Sequence, residues 1–176
     1  MKYFGIRELI PCVDGHCRDR RCGYDESTVV KVPSEVIENA IALVENVLDP
    51  LREEYGHPIR VNSGYRCPLK NKAVGGVENS QHLKGEAADI CAMPLSNHAP
   101  SDPRCGLDPQ SLNLKLARIL AEQGKFDQMI LYVDNTTSME PRFIHVSHKR
   151  SGMNRHRILK KVAGQSYYTE VKGGAL

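Results

Sequence analysis

Apolar residues recur at helical spacing after Pro33, at Ile37, Ile41, Val44, Leu48 and Leu51, and this stripe predicts a scaffold helix facing a core. Proline is favoured in the first turn of such a helix. Asp49-Pro50 should kink or end it, because proline removes a backbone donor, and Tyr55-Gly56 closes the segment. The period then changes from helical to alternating. His57-Pro58-Ile59-Arg60-Val61-Asn62 reads as a half-buried strand that delivers Ser63-Gly64-Tyr65-Arg66 at its end. Pro68 to Val74 reads as a short helix stopped by Gly75-Gly76. Further on, Ala88, Ile90 and Ala92 alternate with Ala87, Asp89 and Cys91, so Asp89 projects from the strand face opposite Ile90.

Asp108-Pro109 combines a cap with a first-turn proline, and Leu112, Leu116, Ile119 and Leu120 form the inward face of a second long helix ending at Gly124. Phe126 to Val133 and Phe143 to His148 follow as strands. In the latter, Phe143, His145 and Ser147 share one face and Ile144, Val146 and His148 the other, so His145 and His148 cannot face the same metal. Arg157 to Val162 and Ser166 to Val171 read as a closing hairpin around Ala163-Gly164-Gln165. Helices mixed with mainly antiparallel strands indicate an α+β fold. Residues 1–32 carry no clear periodicity and read as an irregular, cysteine-containing segment. The stretch 93–107, with Pro94, Pro100 and Pro103, reads as a long loop, of a length used for lids and binding loops or left as a disordered insertion.

A chain of 176 residues, 40% of them apolar, suits one well-cored domain spanning 1–176. Lys and Arg exceed Asp and Glu by 24 to 21, with no dense basic run, which gives nucleic-acid binding little support. No stretch approaches the ~18 apolar residues that span a bilayer, and the first residues lack an apolar run of secretory length. The expectation is a protein made in the cytoplasm without a signal peptide, acting outside it only if released or exported. Six cysteines are then expected to be reduced. Cys12, His16, Cys17 and Cys22 could hold a second, structural zinc, yet their spacing is wider than the two-residue knuckle of most zinc ribbons. A loop with incidental thiols is the favoured reading.

The chemistry gathers in Ser80-Gln81-His82-Leu83-Lys84-Gly85-Glu86-Ala87-Ala88-Asp89-Ile90. On one helix His82 and Asp89 would lie about 10.5 Å apart along the axis. A hairpin-like turn at Gly85, where φ > 0 is open, can instead bring imidazole and carboxylate toward one point. A catalytic zinc takes three protein ligands and leaves a fourth position to water. His145 can supply the third. Spacing alone does not separate these three from ordinary core or surface side chains.

Taken in order, Ser63-Gly64-Tyr65-Arg66, Val74-Gly75-Gly76, Ser80-Gln81-His82 with Gly85, Ala87 and Asp89, and Ile144-His145-Val146 resemble the zinc D-Ala-D-Ala carboxypeptidase and endopeptidase family. That family shares its fold with lysostaphin-type peptidases and the hedgehog signalling domain. The resemblance implies a hedgehog/DD-peptidase-like α+β fold, a central mainly antiparallel sheet flanked by helices, with one Zn2+ held by His82, Asp89 and His145. It implies hydrolysis of a peptide bond in bacterial peptidoglycan, as a D-Ala-D-Ala carboxypeptidase or a stem or cross-link endopeptidase, in a phage lysin or a wall-remodelling enzyme. Peptidoglycan stem peptides are then the partners. Arg66 would stabilise a developing oxyanion or hold a substrate carboxylate; as an alternative it forms a structural ion pair. Ser63, Tyr65, Ser80 and Gln81 would shape the substrate pocket.

One position departs from the pattern. Many members of the wider family carry a general-base carboxylate three residues before the last histidine ligand, where this chain has Arg142, and a cation cannot accept a proton. Glu140 and Asp134 are the nearest acids, and Tyr132 could contribute a hydrogen bond. The substitution keeps a second possibility open: a non-catalytic zinc-containing domain that binds wall fragments or a protein partner.

Overall fold

The fold is seen in a computed structural model that describes residues 1–15, 29, 31–93, 109–172 and 176. His16, Cys17 and Cys22 of the possible second zinc site, the Asp108 cap and all of the 93–107 loop except Met93 lie outside the described residues. Cys12 is described and is buried in the core. The N-terminal segment is not irregular throughout: Ile6–Leu9 forms a single helical turn, α1. Glu8 closes that turn by accepting from the Gly5 N–H at 2.8 Å, and the apolar pair Leu9 and Ile10 carries it into the core.

The stripe after Pro33 forms one helical rod rather than a kinked or terminated helix. It runs as α2 (Ser34–Leu43), a π-helical turn (Val44–Leu48) and α3 (Asp49–Tyr55). The Asp49 N–H bonds to the Val44 carbonyl, five residues back. This wider turn resets the hydrogen-bond register just before Pro50, so the missing proline donor falls where a new first turn begins and leaves no gap. Gly56 ends the rod in the left-handed conformation, as its sequence position suggested. Asp49 also anchors the N-terminus by accepting from the Tyr3 N–H at 2.9 Å.

The strands are β1 (Ile59–Ser63), β2 (Ala87–Ala92), β3 (Gln128–Val133), β4 (Phe143–Ser147), β5 (Arg157–Val162) and β6 (Thr169–Glu170). They form one sheet in the order β1-β2-β4-β3-β5-β6. Four neighbour pairs are antiparallel; β3 and β5 are parallel, which makes the sheet mixed. The parallel pair arises because β4 folds back onto one side of β3, leaving the other side of β3 for β5. α4 (Pro68–Ala73), a 3₁₀ turn (Gln81–Lys84) and α5 (Pro109–Gln123) complete the fold. Among the described residues no helix is long and apolar enough to cross a membrane.

Strand alternation sorts the two faces of this sheet. Ala88 and Ile90 of β2, Met129, Leu131 and Val133 of β3, and Ile144 and Val146 of β4 pack into one core with α2, α3 and α5. Burying such side chains contributes roughly 1.5–3 kcal/mol each, and this drives the assembly. The other face turns Asp89, Gln128, Ile130, Tyr132, Phe143 and His145 toward a cleft of about 490 Å³. Asn113, buried within α5, braces the cleft strands from behind. Its Oδ1 accepts from the Ala92 N–H at 2.7 Å, and its Nδ2 donates to the Pro141 and Arg142 carbonyls at 2.9 Å each.

Candidate metal centre

His82 comes from the 3₁₀ turn, Asp89 from β2 and His145 from β4. Gly85 makes the connection possible. It sits at φ 72°, and a Cβ there would lie 2.4 Å from the Val36 carbonyl oxygen of α2, so only glycine lets the chain turn sharply against the helix. The connection is therefore not the expected hairpin: a 3₁₀ turn with a left-handed exit at Gly85 leads into β2, because His82 lies in the turn and β2 pairs with β1 and β4 instead. In the antiparallel register Asp89 stands opposite His145, which sets these two side chains side by side on the cleft face. His148 belongs to neither site nor cleft; its Nδ1 donates to the Lys125 carbonyl at 2.7 Å.

The three groups are nearly fully buried, at 3%, 8% and 7% exposure for His82, Asp89 and His145. His82 Nε2 lies 3.2 Å from Asp89 Oδ1 and 3.1 Å from His145 Nδ1, and the latter lies 3.1 Å from Asp89 Oδ1. The remaining ring nitrogens fix the tautomers. His82 Nδ1 lies 2.7 Å from the Gly64 carbonyl, which can only accept, so Nδ1 carries the proton and Nε2 presents a lone pair. His145 Nε2 lies 3.4 Å from Gln81 Oε1, so its proton sits there and Nδ1 is the open nitrogen.

Two lone pairs and a carboxylate oxygen thus converge on one point with no proton among them. Such a donor set is repulsive unless a cation sits at its centre. Tetrahedral zinc with ligand bonds near 2.0–2.1 Å would hold its donors about 3.3–3.4 Å apart, close to the observed triangle. The residues fit the ion: two imidazoles and one carboxylate, with ring protons anchored on the outside as metal-bound histidines require.

Burial by itself would push the Asp89 carboxyl up, but the adjoining His145 and His82 rings outweigh it and hold the group well below the usual carboxylate range. Burial pushes the His145 imidazole down, favouring the neutral ring. Both shifts leave the groups in the protonation states that a metal needs. Asp89 Oδ2 is turned away from the triangle and paired with Arg66 Nη2. Arg66 is braced in turn by its Nε donating to Ser63 Oγ at 2.9 Å, and its backbone N–H donates to the His82 carbonyl at 3.1 Å.

Of the other residues singled out in the sequence, Ser80 and Gln81 line the cleft. Ser63 supports Arg66 at the cleft's edge. Tyr65 packs in the hydrophobic core and does not line the cleft. Gly64 must lack a side chain because the N-terminal segment crosses it: a Cβ would lie 2.2 Å from the Leu9 carbonyl oxygen, the acceptor of the Tyr65 N–H. Glu140 accepts from Ser111 of α5 at 2.9 Å, and Asp134 pairs with Arg142 at 3.0 Å; neither lines the cleft. Among the described residues Asp89 is the sole carboxylate that does. Tyr132 lines it, stacked on Phe143 with ring centroids 4.3 Å apart. Burial, with the neighbouring Tyr168 and Asp89, pushes the Tyr132 phenol far up, so it is a hydrogen-bond donor at neutral pH and not a base.

One contributor was not visible in the sequence. Asp127, just before β3, has a fully buried side chain and accepts from Gln81 Nε2 at 3.0 Å. In the one-dimensional pattern it is a single acid at the head of an apolar strand, and nothing marks its partners, Gln81 and Arg155.

A sequence model of the family described as peptidase M15 matches residues 15–100, a span that contains Arg66, His82 and Asp89. No curated protein matches the chain. The third corner of the triangle, His145, lies beyond the matched span, and the sheet register closes it onto the other two. The matched span and the buried His-Asp-His group gathered in one cleft make the chain similar to the peptidase M15 family over residues 15–100.

Proposed function

We propose that the protein is a zinc peptidase that hydrolyses a peptide bond of bacterial peptidoglycan. The observation that carries this reading is the triangle of His82 Nε2, Asp89 Oδ1 and His145 Nδ1 at the floor of an open cleft, in a chain similar to the peptidase M15 family over residues 15–100. A zinc ion there supplies Lewis-acid polarisation of a carbonyl and activation of water at neutral pH. The chain's own groups do the rest. Gly64 and Gln81 hold the two imidazoles in the ligating tautomers. Arg66, anchored on Ser63 and Asp89, holds a fixed positive charge beside the triad, where a developing oxyanion or a substrate carboxylate is stabilised. Tyr132 offers a phenol proton from the aromatic wall it forms with Phe143. Val74 and Val77 give the rim an apolar lining suited to a peptide chain.

The same reading takes the chain as a single peptidase-like domain of the hedgehog/DD-peptidase type, acting on stem peptides once it reaches the cell wall by release or export. Mass spectrometry of purified muropeptides incubated with the protein, with and without a chelator, tests it and identifies the bond. Loss of a terminal D-Ala marks a carboxypeptidase, and separation of cross-linked stems marks an endopeptidase. Intact stem peptides in the presence of stoichiometric zinc would contradict it.

A second reading rests on a specific observation: no carboxylate besides Asp89 lines the cleft among the described residues, and Arg142 stands in the position of the family's base. In that case the domain binds wall fragments or a protein partner without cleaving. Muropeptides that bind with zinc present and are recovered intact would favour it.

A further inference from the structure

Gln81 is held from both ends. Its Nε2 donates to Asp127 Oδ2 at 3.0 Å, and its Oε1 faces His145 Nε2 at 3.4 Å. A primary amide has one donating and one accepting end, so whatever fixes one end fixes the other. Asp127 is that fixing group. Its carboxylate has no exposed surface and is encircled by donors: Oδ1 accepts from the Arg155 N–H at 3.1 Å and from Arg155 Nε at 2.9 Å, with Lys149 Nζ at 3.3 Å, while Oδ2 takes the Gln81 amide and the Arg155 guanidinium. A buried carboxylate so surrounded accepts and never donates. The amide NH2 of Gln81 must therefore point at Asp127 and its oxygen at His145.

We propose that Asp127 is a positioning residue for the metal centre, setting through the Gln81 amide which ring nitrogen of His145 is free to ligate. With Oε1 facing it, His145 keeps its proton on Nε2 and its lone pair on Nδ1, the nitrogen that lies 3.1 Å from both Asp89 Oδ1 and His82 Nε2. Were the amide reversed, its NH2 would meet His145 Nε2, the ring proton would move to Nδ1, and one corner of the donor triangle would be blocked. Asp127 touches no ligand itself; it acts through two hydrogen bonds across 46 residues of sequence.

This inference rests on the triad being a zinc site, and an isosteric pair of variants separates the two. In Asp127→Asn, the crowded donors around Oδ1 keep an oxygen there and turn the new NH2 toward Gln81, which must flip to accept. In the double variant Gln81→Glu with Asp127→Asn, the Asn NH2 donates to the new carboxylate, which again accepts from His145 Nε2. The net charge of the pair is unchanged from wild type.

The test is zinc affinity by competition with a chromogenic chelator at pH 7 for wild type and both variants, alongside the thermal midpoints of the metal-free proteins. Asp127→Asn is expected to bind zinc about 10- to 100-fold more weakly, and the double variant to recover most of that loss. A purely structural role for Asp127 would lower the thermal midpoint with no recovery of zinc affinity in the double variant. Wild-type affinity in folded Asp127→Asn, or a double variant no tighter than the single one, would overturn the inference while leaving the zinc site standing. Wild-type protein that binds no zinc would overturn both. If Asp127→Asn does not fold, Gln81→Leu, which leaves the Asp127–Arg155 pair intact, must show the same weakening, and wild-type affinity there overturns the inference.

Discussion

Asp89 and His145 face each other across the β2–β4 pairing, with Oδ1 and Nδ1 3.1 Å apart. Two residues 56 apart in sequence become neighbours through strand register alone. A one-residue slip of either strand would send one of them into the core, so the metal centre and the hydrophobic face of the sheet are specified by the same pattern. Ile90 and Ile144, the next residues along each strand, are fully buried and hold that register in place.

Arg66→Lys keeps a positive charge but cannot reproduce both the Nε bond to Ser63 and the Nη2 contact to Asp89. Hydrolysis of muropeptides is expected to fall about 10²-fold in kcat/KM, with zinc content unchanged. An Arg66→Lys protein as active as wild type would show that the fork geometry plays no part in the reaction.

Gly64→Ala places a methyl group 2.2 Å from the Leu9 carbonyl oxygen, a backbone atom that cannot step aside. The urea midpoint should drop by an amount equivalent to about 2–3 kcal/mol. The Gly64 carbonyl also receives the His82 ring proton, so zinc affinity should fall with stability. A variant of unchanged midpoint would mean that the N-terminal segment is not packed across this glycine.

Asp127 supplies a pH dependence. Burial would raise its carboxyl, but the bonds and charge of Arg155, with help from Lys149, bring it down to about 2. A group whose pKa is depressed on folding adds stability above its unfolded value and loses it as pH falls through the folded one. The stability difference between wild type and Asp127→Asn should accordingly be full at neutral pH and shrink from about pH 4 down to about pH 2. Urea midpoints across that range check it; a difference that stays constant would mean that the buried carboxylate is not the group that titrates.

Glu140→Gln and Asp134→Asn address the missing base. Both acids are exposed and tied outside the cleft, to Ser111 and to Arg142. Each variant should leave the rate of muropeptide hydrolysis close to wild type. A loss of about 10²-fold in either, the scale of a removed general base, would bring that acid into the reaction.

Much of this arrangement was legible in one dimension because it depends on local pattern. The alternation of β2 and β4 put Asp89 and His145 on the faces they occupy, and Gly85 marked the turn that brings in His82. The π-helical turn before Pro50 was not legible. Whether a helix breaks at proline or resets its register depends on the packing that holds the rod, and Val44, Val47 and Leu48 are all fixed in the core. The parallel placement of β5 against β3 follows from which edge was still open, a property of the assembled sheet. The resemblance implied Tyr65 as a pocket residue, yet its side chain packs in the core. The Asp127–Gln81 link joins two side chains from separate elements, and no periodicity encodes such a contact.

The most direct measurement is the metal content of the purified protein after loading with zinc and removal of excess, for wild type and for His145→Ala. Wild type should retain one zinc per chain, and His145→Ala, which removes one corner of the triangle, should retain almost none while its fold persists by circular dichroism. Wild type that holds no zinc, or a folded His145→Ala that holds as much as wild type, would contradict the assignment of His82, Asp89 and His145 as the metal centre.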